Sequence, residues 1–277
     1  MANPELLASI LSDSPLPWEI LCMQSVDSTN GELSRRFSNS SAVPRLVLWT
    51  EEQTSGRGRL RRKWLSVPER DITASVCFPS PVPPSDSPKL SLIAGIALVR
   101  VIETAYGLSA QVRWPNDVIT QHGKLAGILS VYLSSSNGLV CGIGINANSN
   151  PGDVPLEKDR PRTTLRSELG HEIDRNELLA AWLKEFERKW SLAAEERIDD
   201  LRTEFDPLSY YKGKRVRVLI GAGESRGEYS GGDQLEGTAT TIDKSGALLL
   251  EIPGRCPYAA NVEDVLIPID GIDSGGD

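Results

Sequence analysis

Apolar and polar positions change period several times along this chain, and each change marks an element. Residues 4–11 carry a helical pattern, and WEILCMQS (18–25) reads as a strand. Asp27-Ser28-Thr29-Asn30 follows, with Glu32 three residues after Thr29; that capping-box spacing opens a helix through about Phe37. RLVLWT (45–50) and DITASVCFP (71–79) are apolar enough to be buried strands. Between them, 51–69 is polar, basic and glycine-containing, the composition of a long loop. The proline-rich 79–88 predicts an extended connector. Ser87-Pro88 then gives an N-cap and a first-turn proline. Leu90, Ile93, Ala94, Ala97, Leu98, Val101, Ile102 and Ala105 recur at helical spacing until Gly107. This helix is apolar on most sides, so its expected place is central. Three strands follow, about 111–119, 124–133 and 138–146, with turns at Gln121-His122-Gly123 and Ser136-Asn137-Gly138. Helices return at 163–169 and about 175–205, the second opened by Asp174 and Glu177.

After Tyr211 the pattern becomes short strands with glycine-rich turns: 214–220, 234–243, 246–252 and a last piece near 258–267. GAGESRGEYSGGD (221–233) reads as a mobile loop between them. The expected fold is α+β, a mixed sheet flanked by helices, followed by a small all-β barrel. The expected division is 1–210 and 211–277.

Composition narrows the class. Of 277 residues, 39% are hydrophobic and 25% charged, which suits a globular chain with a substantial core. The net charge of −8 argues against a general nucleic-acid binder but leaves room for a local basic site. No apolar run approaches the about 20 residues that cross a bilayer, so no membrane partner is expected. The first residues lack the basic and apolar regions of a secretory signal. Cys22, Cys77, Cys141 and Cys256 lie far apart in strand-like contexts, which predicts reduced thiols and a cytoplasmic location. With only His122 and His171, a histidine-based metal site or a Ser-His-Asp hydrolase is not expected.

Three constellations carry candidate chemistry. The first is Ser55-Gly56-Arg57-Gly58-Arg59-Leu60-Arg61-Arg62-Lys63-Trp64, with five cations in 57–63. Its plainest reading is a solvated basic loop. The glycines favour another: they permit positive φ and close backbone approach, and the arginines supply charge for phosphate or carboxylate. A cation about 4 Å from a phosphate is worth ~1 kcal/mol in water and ~4 at an effective dielectric of about 20. Such a loop therefore acts best closed over its ligand, as a lid. The second is Arg113-Trp114-Pro115-Asn116-Asp117, then Gly123-Lys124-Leu125-Ala126-Gly127. Either Pro115 makes a kink satisfied locally, or Asn116 bonds a ligand and Asp117 holds Mg²⁺ or a phosphate-bound water. A lone Lys is usually solvated, but Lys124, between a glycine and an apolar run, is expected to be aimed into a cleft, where its charge can meet an anion. The third is Gly142-Ile143-Gly144-Ile145-Asn146, where glycine in a strand means close approach to a ligand or tight packing.

Together with Ser28-Thr29-Asn30 and Glu52-Gln53-Thr54, these segments stand in the order and approximate spacing of biotin protein ligases. The resemblance covers about 20–268. It implies a catalytic domain like that of class II aminoacyl-tRNA synthetases, with an SH3-like C-terminal domain. The implied activity makes biotinyl-5′-AMP from biotin and ATP with Mg²⁺, then transfers biotin to one Lys of a biotin carboxyl carrier domain, such as that of acetyl-CoA carboxylase. By resemblance Ser28, Thr29, Asn30 and Gln53 hold biotin's ring and ureido group. Arg57, Gly58 and Arg59 close over its carboxylate, and Lys124 sits between that carboxylate and the α-phosphate. Arg59, Arg62, Trp64, Asn116 and Asn146 serve the ATP and adenylate side. Lys124, Arg57 and Asp117 carry the catalytic roles, with Asp117 the candidate Mg²⁺ ligand.

Departures exist. Arg61 stands where the family's lid has Gly, and Arg113 where it has Lys. If the family's Gly has positive φ, Arg61 is strained by roughly 1–2 kcal/mol. Repressor-type members carry an N-terminal winged helix; about 17 residues precede the first strand here, which predicts a monofunctional enzyme. Relatives include monomers and dimers, so a homodimer is among the implied assemblies. Two rival readings share much of this pattern: a lipoate or octanoate ligase or transferase, and a non-catalytic biotin-responsive regulator.

Overall fold

A computed structural model describes residues 1–14, 17–80, 88–155, 161–194, 198–221 and 234–269. The first sheet contains β1 (Glu19–Val26), β2 (Leu46–Gln53), β3 (Ile72–Pro79), β4 (Gln111–Arg113), β5 (Asp117–Thr120), β6 (Gly123–Leu133) and β7 (Gly138–Ile145). Their order is β1-β2-β3-β7-β6-β5-β4. Only β1 and β2 run parallel, with α2 (Thr29–Phe37) crossing between them; every other pairing is antiparallel.

The central strands are buried on both faces, which is why they read as continuous apolar runs rather than alternating ones. Leu46, Leu48, Cys77 and Val140 share one cluster with Leu33 of α2. Val47, Trp49, Val76, Phe78 and Ile143 join the larger core with α3 (Pro88–Tyr106). Outside α3 lies α5 (Arg175–Ala194), whose Trp182 indole donates to the Ala94 carbonyl at 3.0 Å. The apolar helix is thus sandwiched, as its pattern predicts. Of the shorter helices, α1 (Pro4–Ile10) packs against α5 and β1, and α4 (Leu165–Leu169) follows the loop after β7.

The structure departs from the pattern in three places. Ser28, not Thr29, caps α2, accepting from the Gly31 N–H at 3.3 Å, and Glu32 instead pairs with Arg35 and Arg36. The expected strand 111–119 splits into β4 and β5 around a turn with a cis Trp114–Pro115 peptide; Pro115 has no N–H to give a ladder. The expected helix 175–205 is described as α5 and α6 (Ile198–Phe205). The connector 81–87, with its cap residue Ser87, and the loop 222–233 lie outside the described residues.

The tail forms the expected antiparallel SH3-like sheet: β8 (Arg215–Leu219), β9 (Gln234–Ile242), β10 (Leu248–Glu251), β11 (Tyr258–Ala260) and β12 (Val265–Pro268). Its order is β11-β10-β9-β8-β12. Trp114 Nε1 donates to the Gly246 carbonyl at 2.9 Å and the Tyr210 N–H to Val112 at 3.0 Å, so this sheet is pinned beside the β4–β5 turn. Among the described residues, no helix is long and apolar enough to cross a membrane.

Candidate functional site

Every side chain given a role above lines one cleft of about 900 Å³. One wall stands on the N-terminus of α2 and the end of β2. The Thr29 N–H and hydroxyl both donate to Gln53 Oε1, at 2.8 and 3.2 Å. Ser75, from the middle of β3, lies 2.6 Å from Thr29 Oγ1 and 2.7 Å from Asn30 Oδ1. Asn30 Nδ2 donates to the Leu129 carbonyl at 2.8 Å. These polar groups therefore hold one another in fixed geometry inside an apolar frame. Asn30 is a frame residue: both ends of its amide are engaged, and a Cβ at Gly142 would overlap it.

The opposite wall is the basic loop. Arg57 and Lys63 form an antiparallel bridge, the Gly58 N–H donates to Arg62 O at 2.8 Å, and a single 3₁₀ turn spans Arg59–Arg61. Gly56 is required by close approach, since a Cβ there would lie 2.5 Å from the Trp64 carbonyl. Neither Gly56 nor Gly58 has positive φ; the left-handed residue is Leu60 (φ 57°, ψ 38°), so backbone strain in the lid is found at Leu60. Arg59 Nη2 donates to the Asp264 carbonyl at 3.1 Å, just before β12, while its Nη1 is buried without a partner. Burial pulls its guanidinium below the ordinary arginine value, and Asp117 only partly offsets this. A desolvated cation with an open donor is prepared for an anion.

Between the walls sits Lys124. Its Nζ lies 2.7 Å from Asp117 Oδ1, and Asp117 Oδ2 accepts from Arg113 Nη2 at 3.0 Å. Burial pushes the Asp117 carboxyl up, but the charges and hydrogen bonds of Lys124 and Arg113 hold it below the ordinary carboxylate range. This corrects the metal assignment. Both Asp117 oxygens already face cations, and no group of three His, Cys, Asp or Glu suited to a metal gathers among the described residues. The residues do not fit a resident Mg²⁺; Asp117 anchors Lys124 and Arg113.

The indole of Trp64 lies against the cleft floor. A Cβ at Gly144 would overlap it, and one at Gly127 would come within 2.9 Å, so these glycines make room for a ring. Lys124 Nζ is 5.4 Å from the ring centroid, and Trp64 Nε1 is buried without a partner. Asn116 Nδ2 donates to Ile128 O at 2.7 Å, tying the β4–β5 turn to β6. Asn146 Nδ2 donates to Lys124 O and Thr163 O, both at 3.0 Å, leaving a buried Oδ1 without a partner. The sequence reading missed Ser75 and Asp264. A serine inside an apolar strand was a readable signal for Ser75; Asp264 comes from the turn before β12, and the docking of that second sheet is not encoded in the pattern.

Residues 22–148 match the Biotin/lipoate A/B protein ligase family. The biotin–[acetyl-CoA-carboxylase] ligase of Mycobacterium tuberculosis is 33% identical over 236 residues, covering 82% of this chain and 81% of that protein. The bifunctional ligase/repressor BirA of Escherichia coli is 31% identical, over 83% of this chain and 68% of that one. Among solved structures, the biotin protein ligase of Aquifex aeolicus in complex with biotin and ATP superposes with a TM-score of 0.74 at 26% identity. It covers 90% of this chain and 99% of that one. With the fold and the cleft, these relatives show that the chain belongs to the biotin/lipoate ligase family, among the biotin protein ligases.

Proposed function

We propose that this protein is an ATP-dependent biotin–protein ligase. The biotin carboxylate attacks the α-phosphorus of ATP, pyrophosphate leaves, and biotinyl-5′-AMP forms. The ε-amine of a lysine on a biotin carboxyl carrier domain then attacks the acyl carbon, and AMP leaves. The observation that carries this reading is the Lys124 ammonium, held at 2.7 Å by Asp117 between a rigid polar wall and an arginine lid. Bringing a carboxylate to a phosphate joins two anions, and a preorganised cation between them stabilises the crowded transition state.

The other assignments follow the geometry. Ser28, Thr29 and Gln53 take the ureido head, a small polar set in an apolar slot. Arg57, Gly58 and Arg59 close over the carboxylate and later the acyl phosphate. Arg62, Trp64, Asn116 and the free Oδ1 of Asn146 serve the adenylate side. The mixed anhydride survives only where water is excluded, which gives the lid its purpose. On this reading magnesium travels with the ATP phosphates as part of the substrate, and no side chain is assigned to it. Four free cysteines support a reducing, cytoplasmic location. The division at 210/211 and a homodimer stay part of the proposal.

Biotin-dependent ATP–pyrophosphate exchange tests this reading, with lipoate and octanoate as competing acids. Exchange with biotin alone is expected. Exchange with lipoate and not biotin overturns it in favour of the lipoyl branch of the family; no exchange with any acid favours a regulator.

A further inference from the structure

One buried ion pair at the margin of the cleft has no role in the scheme above: Arg162 lines the cleft and Asp71 lies behind it. Asp71, immediately before β3, is fully buried as a side chain. Its Oδ1 accepts from the Ala147 N–H at 3.0 Å and from Ser149 Oγ at 2.7 Å. Its Oδ2 accepts from the Val67 N–H at 3.0 Å and from Arg162 Nη2 at 2.6 Å. The other arm of that guanidinium, Nη1, donates to the Leu65 carbonyl at 3.1 Å. One carboxylate and one guanidinium therefore gather the return limb of the lid, the loop after β7 and the segment 161–163.

That last segment grips Lys124. The Lys124 N–H donates to Pro161 O at 2.8 Å, and the Thr163 N–H donates to Lys124 O at 3.1 Å. Gly123 allows the approach, because a Cβ there would overlap the Pro161 carbonyl. A buried pair that only neutralised charge would need one contact between its members. This one spends separate guanidinium arms on separate segments, a task for which arginine's planar fork is suited and a compact ammonium is not.

We propose that Asp71 and Arg162 are positioning residues that couple the return limb of the lid to the strand carrying Lys124; the catalytic half of this inference rests on the ligase reading above. Closing the lid and aiming the ammonium are then one motion of one frame. Their assigned role runs through Lys124 and the lid, not through a contact with substrate.

The test uses Arg162→Lys, which keeps the charge opposite Asp71 but loses the fork, and Asp71→Asn, which loses the charge from the other side. Arg45→Lys, in the Arg45–Glu187 pair remote from the cleft, controls for general loosening. Limited trypsin digestion reads the lid directly, since five of its sites lie in 57–63. Cleavage there is expected to be about fivefold faster in Arg162→Lys and Asp71→Asn and unchanged in Arg45→Lys, in proteins whose melting temperatures match. In pyrophosphate exchange, kcat should fall about tenfold and KM for ATP rise, with KM for biotin within about twofold of wild type. Wild-type lid cleavage in both cleft variants, or equal losses in Arg45→Lys, overturns the coupling. An equal decline of all kinetic constants also overturns it, since that marks a merely structural pair. If wild type itself shows no biotin-dependent exchange but the cleavage pattern holds, the coupling stands and the ligase reading falls.

Discussion

The wall around Thr29 and the wall around Arg59 face each other across Lys124 but are built in opposite ways. Thr29, Asn30, Gln53 and Ser75 stand on regular elements and are hydrogen-bonded to one another. The lid has a single turn, a left-handed Leu60 and a buried guanidinium nitrogen without a partner. A neutral, bicyclic head can be met by a prefabricated slot at little cost in ordering. Two anions that must react cannot: cations clustered without them repel, so the lid's charges are completed only by the ligand.

Substitutions should separate the walls by magnitude. The largest effect belongs to the group between them. Lys124→Ala should fold normally and lose about 10²–10³-fold in adenylation rate, the usual loss for one preorganised electrostatic donor. Exchange within about threefold of wild type would remove Lys124 from the mechanism. On the lid side, Arg59→Ala should release preformed biotinyl-AMP about 10–100-fold faster, the range for a hydrogen bond to a charged group. Dissociation rates that agree within error would assign Arg59 to holding Asp264 alone. On the fixed wall, Gln53→Ala should raise KM for biotin by about fivefold and leave KM for ATP unchanged, the size of one neutral hydrogen bond. A parallel rise in both constants would mean that the walls are not independent. The smallest effect is conformational. Leu60→Gly should stabilise the ligand-free protein by roughly 1 kcal/mol by relieving positive φ, whereas Arg61→Gly should only add chain entropy and destabilise it. Thermal melts of the two variants decide which residue carries the strain.

The sequence was most informative where one physical rule acts alone. The helix 88–106 was legible to the residue at its end because Gly107 has φ +63°. The buried strands were legible because both faces pack, leaving no polar phase to misread. At 111–119 the rule competed with another: the apolar period continues through Trp114, but Pro115 breaks the ladder. The cleft's residue types were legible as motifs, whereas their roles were legible only in part. Asp117 looked like a metal ligand because a lone carboxylate in an apolar run needs a cation; its cations are Lys124 and Arg113. The glycines of 142–146 signalled close approach, and the structure shows what the Asn30 amide and the Trp64 ring require of them at the cleft's surface. Contacts such as Arg59 to Asp264 join residues some 200 positions apart, and no local pattern announces them.

The contrast between a finished wall and an unfinished lid is tested most directly by amide hydrogen exchange in the free protein and in the presence of biotin and ATP. Amides of 57–63 should slow by more than about tenfold on ligand binding, while those of 28–31, already capped and bonded, should change by less than about threefold. Equal protection changes in the two segments, or a lid as protected without ligand as with it, would contradict the account.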